Sequence, residues 1–201
     1  MVSGAREIDR RLLASFATVL DYPEAETEHA VRACEELVSA SAPEAAALVA
    51  EFRAFAAERP LGQLQELYTA AFDLDTLSDL DATCYPYVGH HLFGESHKRS
   101  AFLVGLAERF RQHGFSAERE LPDHLVVLLR FAAACPDDQL VRELIEEAIV
   151  PALERMTAAA GESDLPLGGR RAYLRVLEAL RLALARRDRE LTPLADAGGP
   201  A

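Results

Sequence analysis

The spacing of apolar residues constrains this chain more than any other feature, because it follows the helical repeat in segment after segment. The first set lies on one face of a helix and comprises Ile8, Leu12, Leu13, Phe16, Val19 and Leu20. No stretch shows the period-two alternation, rich in β-branched residues, that is typical of a half-buried strand. The strong helix formers Ala, Leu, Glu and Arg are abundant. The sequence therefore predicts an all-α protein, and the absence of an internal repeat or linker predicts a single-domain helical bundle over residues 1–191.

Prolines and capping residues set the bounds of four helices in the N-terminal half. Proline disfavours the helical conformation in the residue before it, so we expect the first helix to end at Tyr22-Pro23. Ser41 and Glu44 form a capping box that opens the third helix, which ends near Arg59-Pro60. The second and fourth helices are predicted over Glu24–Ala40 and Leu61–Asp73. The acidic, turn-like stretch Asp73–Thr83 is the longest interior break.

In the C-terminal half, one apolar segment stands out. Leu125–Phe131 is apolar on all sides, which predicts a helix buried at the centre of the bundle. A short helix over Tyr85–Gly94 and a longer one over His97–His113 precede it, with Gly114 as the residue that terminates the longer helix.

Two prolines and a glycine-rich end complete the pattern. Pro136 suits a first helical position, and Pro151 is expected to kink or end the helix that contains it. The last helix, marked by apolar residues over Tyr173–Leu184, follows a loop at Gly161–Gly169. The tail, residues 192–201, consists largely of Gly, Pro and Ala, and we expect it to be disordered.

Charge and cysteine content narrow the function classes. The chain has 21 Lys and Arg against 33 Asp and Glu, a formal net charge of −12, whereas nucleic-acid-binding domains are usually basic. No apolar run approaches the roughly 18 residues that span a membrane, and Met1–Arg11 lacks an export signal. We therefore expect a cytoplasmic protein with no membrane span and no nucleic-acid partner. Cys34, Cys84 and Cys135 are widely spaced, which favours buried structural thiols over a disulfide framework or metal site.

Polar and aromatic residues concentrate in two segments, 84–99 and 120–125, which hold four of the six histidines. The side chains that could bind a metal are His90, His91, Glu95 and His97. A helical metal-dependent hydrolase could use His90, His91 and Glu95 with Asp123, although the HExxH arrangement is absent. This interpretation is kept as an alternative.

The second segment and the aromatic residues allow other interpretations. Asp123 and His124 place a carboxylate beside an imidazole, but Asp123 after Pro122 is also a natural helix N-cap or first-turn acid. An aromatic and apolar set could line a groove for an apolar peptide helix or could belong to the core; it comprises Tyr85, Tyr87, Leu92 and Phe93. Acidic residues beside such a groove would pair with arginines of the peptide.

Together the two segments resemble a known family. The matching runs are Tyr87-Val88-Gly89-His90-His91-Leu92-Phe93-Gly94-Glu95, Lys98-Arg99, His113-Gly114-Phe115 and Glu120-Leu121-Pro122-Asp123-His124-Leu125. They resemble the cytoplasmic assembly chaperones of molybdenum oxidoreductases, the redox enzyme maturation proteins of nitrate reductase delta-subunit (NarJ) and TorD/DmsD type. The strongest match covers about residues 67–134. The resemblance implies a TorD-like helical bundle that performs no catalysis and carries no cofactor or metal.

The resemblance also implies a partner and a site. Members bind the N-terminal leader, often of twin-arginine type, of the apo catalytic subunit and hold that subunit for insertion of molybdenum cofactor. By position in the motif, the residues expected to bind the leader are Tyr87, Leu92, Phe93, Glu120, Asp123 and His124. The run Cys84–His91 is closer to the nitrate, selenate, chlorate or ethylbenzene dehydrogenase branch. We expect a monomer or weak dimer.

Overall fold

The computed structural model describes residues 9–40, 42–72, 85–117, 119–158 and 168–189, and within these ranges it contains helices and no β-strand. The elements are α1 (Arg10–Val19), α2 (Thr27–Ser39), α3 (Pro43–Ala57), α4 (Leu61–Phe72), α5 (Val88–Phe93), α6 (His97–Gln112), α7 (Leu125–Ala134), α8 (Asp138–Leu144), a π-helical turn (Ile145–Ile149), α9 (Val150–Ala158) and α10 (Gly169–Arg189). The predicted all-α class is confirmed.

Local side-chain chemistry explains where the N-terminal helices begin. The Asp9 carboxylate caps α1 by accepting a hydrogen bond from the Leu12 N–H at 3.1 Å. Ala42 is the N-cap of α3, and Pro43 occupies the first helical position, where its missing N–H costs no hydrogen bond. The predicted capping box is therefore wrong, because the helix begins one residue later than it requires. Ser41 itself lies outside the described residues.

The start of α8 also differs from the prediction. Asp137 is the N-cap, and its carboxylate accepts hydrogen bonds from the N–H groups of Gln139 and Leu140 at 3.1 and 3.0 Å. Pro136 therefore precedes the helix instead of opening it. An aspartate that satisfies two helix-terminal N–H groups is the stronger start signal, because those donors have no partner inside the helix.

Pro151 does not end its helix. α9 continues through it, and the preceding turn widens into the π-helix Ile145–Ile149, in which the Val150 N–H donates to the Ile145 carbonyl. Proline cannot donate to the carbonyl four residues earlier and clashes with it in a regular α-helix. The wider turn just before Pro151 is where the helix departs from regular α geometry.

The core lies where the long helices pack together. α3 contacts α2 and α10, α1 contacts α2 and α7, and α10 also contacts α4 and α9. Burial on all sides was predicted for Leu125–Phe131 of α7; Leu125–Leu129 and Phe131 are buried, whereas Arg130 is exposed. Ring centroids of Phe52 and Tyr173 lie 5.1 Å apart, and those of Phe110 and Phe131 lie 4.6 Å apart. Burying one such large apolar side chain contributes about 1.5–3 kcal/mol, so these contacts fix how the helices pack.

The shorter helices α5 and α6 lie at one edge of the bundle. α5 contacts α6, the π-helical turn and α9. Most of α6 faces solvent, and its buried residues are Arg99, Leu106 and Phe110. Gly114 has a φ of +65° directly after this helix, as predicted for a terminating glycine. This edge holds both polar segments of the sequence.

Several expectations fall outside the described residues, including the acidic stretch Asp73–Thr83, Cys84, most of the loop before α10 and the tail 192–201. Cys34 and Cys135 are buried, as expected. Burial raises the pKa of the Cys34 thiol to about 11. Among the described helices, none combines the length and apolar character needed to cross a membrane.

Candidate functional site at the junction of α5, α6 and α7

The two polar segments of the sequence meet at the N-terminus of α7. Two backbone hydrogen bonds of 2.8 Å join them, from Val88 N–H to the Asp123 carbonyl and from Leu125 N–H to the Pro86 carbonyl. They flank an antiparallel bridge between Tyr87 and His124. α5 is therefore shorter than the predicted Tyr85–Gly94 helix, because the residues before Val88 pair with the extended backbone ahead of α7.

A buried ion pair lies within this junction. Asp123 is fully buried, and its Oδ2 accepts a hydrogen bond from Arg99 Nε at 3.1 Å. The Arg99 side chain is 10% exposed, and its Nη1 also donates to the Glu95 carboxylate. Burial alone would lower the pKa of Arg99, but the hydrogen bond and charge of Asp123, with the charge of Glu95, raise it. The guanidinium therefore stays charged and joins α6 to the start of α7.

The packing around Asp123 is close. Its Oδ1 is buried and accepts no hydrogen bond from the described residues. A Cβ atom at Gly89 would lie 2.6 Å from Asp123 Oδ2 and 3.3 Å from Arg99 Cγ. Because any side chain at position 89 would collide with the carboxylate, glycine is what allows α5 to approach the ion pair.

His124 is the N-cap of α7, a role that the sequence suggested for Asp123. The His124 Nδ1 accepts a hydrogen bond from the Val126 N–H at 3.3 Å, and only an unprotonated nitrogen can accept. Burial lowers the pKa of His124, although the charges of Glu120, Asp21 and Asp123 oppose this. The N-cap expectation for Asp123 is wrong because its carboxylate points to Arg99, which leaves the next residue to cap the helix.

Aromatic and acidic side chains reach the surface at the same place. The Tyr87 hydroxyl donates to Glu120 Oε2 at 2.9 Å, and its ring centroid lies 5.7 Å from Arg99 Cζ. Burial raises the pKa of Tyr87, and so do the hydrogen bond and charge of Glu120, so the hydroxyl stays protonated. Glu120 is exposed. The junction surface, as we name it, consists of Tyr87, Phe93, Glu95, Glu120 and Leu121.

Four of the six predicted leader-binding residues are in direct contact, namely Tyr87, Glu120, Asp123 and His124. Tyr87 and His124 ring centroids lie 5.2 Å apart. Leu92 and Phe93 lie at the C-terminal end of α5, where Leu92 packs against the core. Phe93 is 36% exposed, and its ring centroid lies 5.5 Å from that of Phe102.

The histidines of α5 bond to protein groups. His91 Nε2 lies 2.7 Å from the Tyr85 carbonyl oxygen, which can only accept, and burial lowers the pKa of His91. His90 Nδ1 lies 3.3 Å from Glu95 Oε1. Among the described residues, no group of three or more His, Cys, Asp or Glu side chains could hold a metal ion. The arrangement therefore does not support the metal-dependent hydrolase.

A separate cavity of about 420 Å³ lies between α9 and α10. Two arginines that line it have acidic neighbours. Arg181 pairs with Glu178 at 2.7 Å, and Arg175 Nε lies 3.3 Å from Glu51 Oε2. Both of these arginines therefore lie close to a carboxylate of the chain.

Arg99 is the residue of the site to which sequence reasoning gave no role. The usable signal was its spacing from Glu95, since residues four apart on a helix can form an ion pair. The second partner, Asp123, lies 24 residues further along the chain, and only the fold shows that contact.

Comparison with a solved structure agrees with this architecture. A protein from Archaeoglobus fulgidus described as a redox enzyme maturation protein superposes with a TM-score of 0.56, at 19% sequence identity. The match covers 92% of this chain and 98% of that chain. At this identity it establishes a shared fold.

Sequence comparisons give the family. The family model described as nitrate reductase delta subunit matches residues 39–166. Two proteins named nitrate reductase molybdenum cofactor assembly chaperone NarJ, from Escherichia coli strains K12 and O157:H7, are each 30% identical over 146 residues. The alignment covers 70% of this chain and 59% of each relative, so the chain spans about three fifths of their length. The chain belongs to the nitrate reductase delta subunit family, which confirms the resemblance seen in its motifs.

Proposed function

We propose that this chain is an assembly chaperone that binds the N-terminal leader of the apo catalytic subunit of a molybdenum oxidoreductase. It holds that subunit for insertion of molybdenum cofactor. Membership of the delta subunit family and the names of the NarJ relatives support this proposal. The proposed client is nitrate reductase or a related selenate, chlorate or ethylbenzene dehydrogenase-type enzyme. The chaperone works in the cytoplasm as a monomer or weak dimer and performs no catalysis itself.

The junction surface is the observation that carries the proposal. A twin-arginine-type leader presents guanidinium groups followed by an apolar stretch, so its receptor needs carboxylates beside exposed apolar side chains. Glu95 is 75% exposed and Glu120 is also exposed. Phe93 and Leu121 are 36% and 46% exposed, so both present apolar surface to solvent. The surface therefore offers both kinds of contact that such a leader requires.

The six motif residues divide into two roles in this proposal. Tyr87, Phe93 and Glu120 reach solvent and contact the leader, and Leu92, which packs against the core, anchors this end of α5. Asp123 and His124 lie under the surface and hold the junction together. The proposal thus assigns leader contact to the first set and positioning to the second.

A pull-down with a matched pair of surface variants tests this function. The tagged full-length chain is expressed in its own host under anaerobic, electron-acceptor-respiring conditions, and the co-purifying proteins are identified. Phe93→Ser removes an apolar contact from the junction surface. Val104→Ser is the control, because Val104 is 71% exposed on α6 and lies outside that surface. Circular dichroism checks that both variants are folded.

The chaperone function predicts recovery of a cofactor-free molybdenum subunit with the wild type and Val104→Ser, and a clear reduction with Phe93→Ser. Recovery of the mature, cofactor-loaded enzyme would instead indicate a permanent subunit. Recovery of no molybdenum enzyme subunit would refute the proposal. Equal recovery with both variants would indicate that Phe93 is not part of the leader-binding site.

A further inference from the structure

The Arg99 side chain pairs with two carboxylates. Its Nε donates to Asp123 and its Nη1 donates to Glu95, so one guanidinium faces two carboxylates. The guanidinium carries one positive charge and the two carboxylates carry two negative charges, so these three groups have a net charge of −1. Asp123 is fully buried, whereas the Glu95 side chain is 75% exposed. The surplus charge is therefore accessible to a partner only through Glu95.

Two contacts hold the Glu95 carboxylate in place. Arg99, four residues further along the chain, donates a hydrogen bond to it, and His90 Nδ1 lies 3.3 Å from Glu95 Oε1. The hydrogen bond from His90 and the charge of Arg99 lower the pKa of Glu95, which keeps it ionised near neutral pH. An acid that is already ordered loses little side-chain entropy when it pairs with a cation, which improves its contribution to binding.

We infer that Glu95 is a specificity-determining residue that receives an arginine of the leader, and that Asp123 acts only as a positioning residue, through Arg99. This inference rests on the proposed leader-binding function and deepens it. The family motif drew attention to Asp123, but a fully buried carboxylate that is paired with an internal arginine cannot meet a leader side chain without opening the junction. Glu95 belongs to the other segment and lies two residues after the exposed Phe93.

A double-mutant cycle with the full chain tests the inference. The probe is a fluorescent synthetic peptide with two adjacent arginines followed by an apolar stretch, and its partner peptide has glutamines in place of both arginines. The chain variants are Glu95→Gln and the control Glu108→Gln. Glu108 is a matched control, because it also lies in the α6 region, pairs with an arginine three residues away and is exposed.

Glu95→Gln is expected to weaken binding of the arginine peptide about twofold to fivefold, the range for an exposed ion pair. It should leave binding of the glutamine peptide unchanged, and Glu108→Gln should change neither. The effect should also shrink at high salt. A purely structural role of Glu95 would weaken both peptides equally and would overturn the inference.

The possible outcomes distinguish failure of this inference from failure of the proposed leader-binding function. If the wild type binds neither peptide and recovers no client, the proposed function fails and the inference fails with it. If the wild type binds the arginine peptide and Glu95→Gln binds it equally well, only the inference fails. Asp123→Glu adds a check on the positioning role, because it keeps the charge but not the geometry. It should weaken binding of the arginine peptide, with a loss that is smaller when Glu95→Gln is already present.

Discussion

Replacing Arg99 is expected to destabilise the fold more than replacing its partner. Arg99→Gln leaves the fully buried Asp123 carboxylate without a counterion, and breaking a buried pair in this way costs about 3–5 kcal/mol. Asp123→Asn leaves Arg99 with the Glu95 carboxylate, which is 75% exposed. Because the Arg99 guanidinium keeps this carboxylate as a partner, the cost of Asp123→Asn should be about 1–3 kcal/mol.

The double variant Arg99→Gln/Asp123→Asn distinguishes the cost of an uncompensated buried charge from the cost of lost packing. With Gln at 99 and Asn at 123, no buried charge remains uncompensated, so the double variant should be more stable than Arg99→Gln alone. Residues in contact commonly show such coupling, of about 0.5–3 kcal/mol. Arg111→Gln is the control, because Arg111 pairs with Glu108 at an exposed position where ion pairs contribute less than about 1 kcal/mol.

Urea unfolding followed by circular dichroism provides the measurement. With a slope of about 2 kcal/mol per molar, Arg99→Gln should lower the unfolding midpoint by about 1.5–2.5 M. A loss no larger than that of Asp123→Asn, or strict additivity in the double variant, would refute the reasoning. In that case the junction would be held by its backbone bonds and not by the ion pair.

Three further predictions concern other parts of the fold. Gly89→Ala should lower the melting temperature, because its Cβ would lie 2.6 Å from a carboxylate oxygen. Gly105→Ala is the control and should raise stability by about 0.5–1 kcal/mol, because the space around Gly105 is open. Stabilisation at both positions would contradict the steric argument. Stability should fall as the pH drops below about 6.5, because the lowered pKa of His124 makes the folded state bind fewer protons than the unfolded chain. Thermal melts of the wild type and His124→Asn check this, and an unchanged pH slope in the variant would refute it. In a Cys84→Ser background, Cys34 should react with a thiol reagent only after unfolding, since it is buried and its pKa is raised to about 11; rapid labelling of the native chain would show otherwise.

The helices were predictable because each has an apolar face whose spacing survives in the sequence. Leu125–Leu129 shows this most clearly, since a segment apolar on all sides has no stable place except the centre of the bundle. The start of α3 was missed by one residue, and the start of α8 by two. Ser41 and Pro136 are both acceptable start residues, and the choice between them and their neighbours depends on backbone angles that tertiary packing sets.

The sequence predicted which two segments form the site, but it did not predict the contacts between them. The aromatic and acidic residue types indicated a surface for an arginine-containing apolar peptide, and the motif placed Tyr87 and Glu120 on it. Sequence spacing could not show that Asp123 turns inward, because Pro122 made an N-cap equally reasonable. Nor could it show that Gly89 exists to admit that carboxylate, since the distance of 2.6 Å joins residues from different elements.

Each residue at the bridge between Tyr87 and His124 makes a different structural contact. Tyr87 pairs with His124 across the bridge, His124 caps α7, and Asp123 anchors α6 through Arg99. If the proposed function holds, a substitution at Asp123 or His124 should reduce leader binding even if neither residue touches the leader, because the contacts that position the junction surface would be lost. Loss of binding at these positions identifies a contact only when stability is unchanged. Glu95 and Glu120 can meet that condition, because both are exposed and their replacement by glutamine removes charge without emptying buried space.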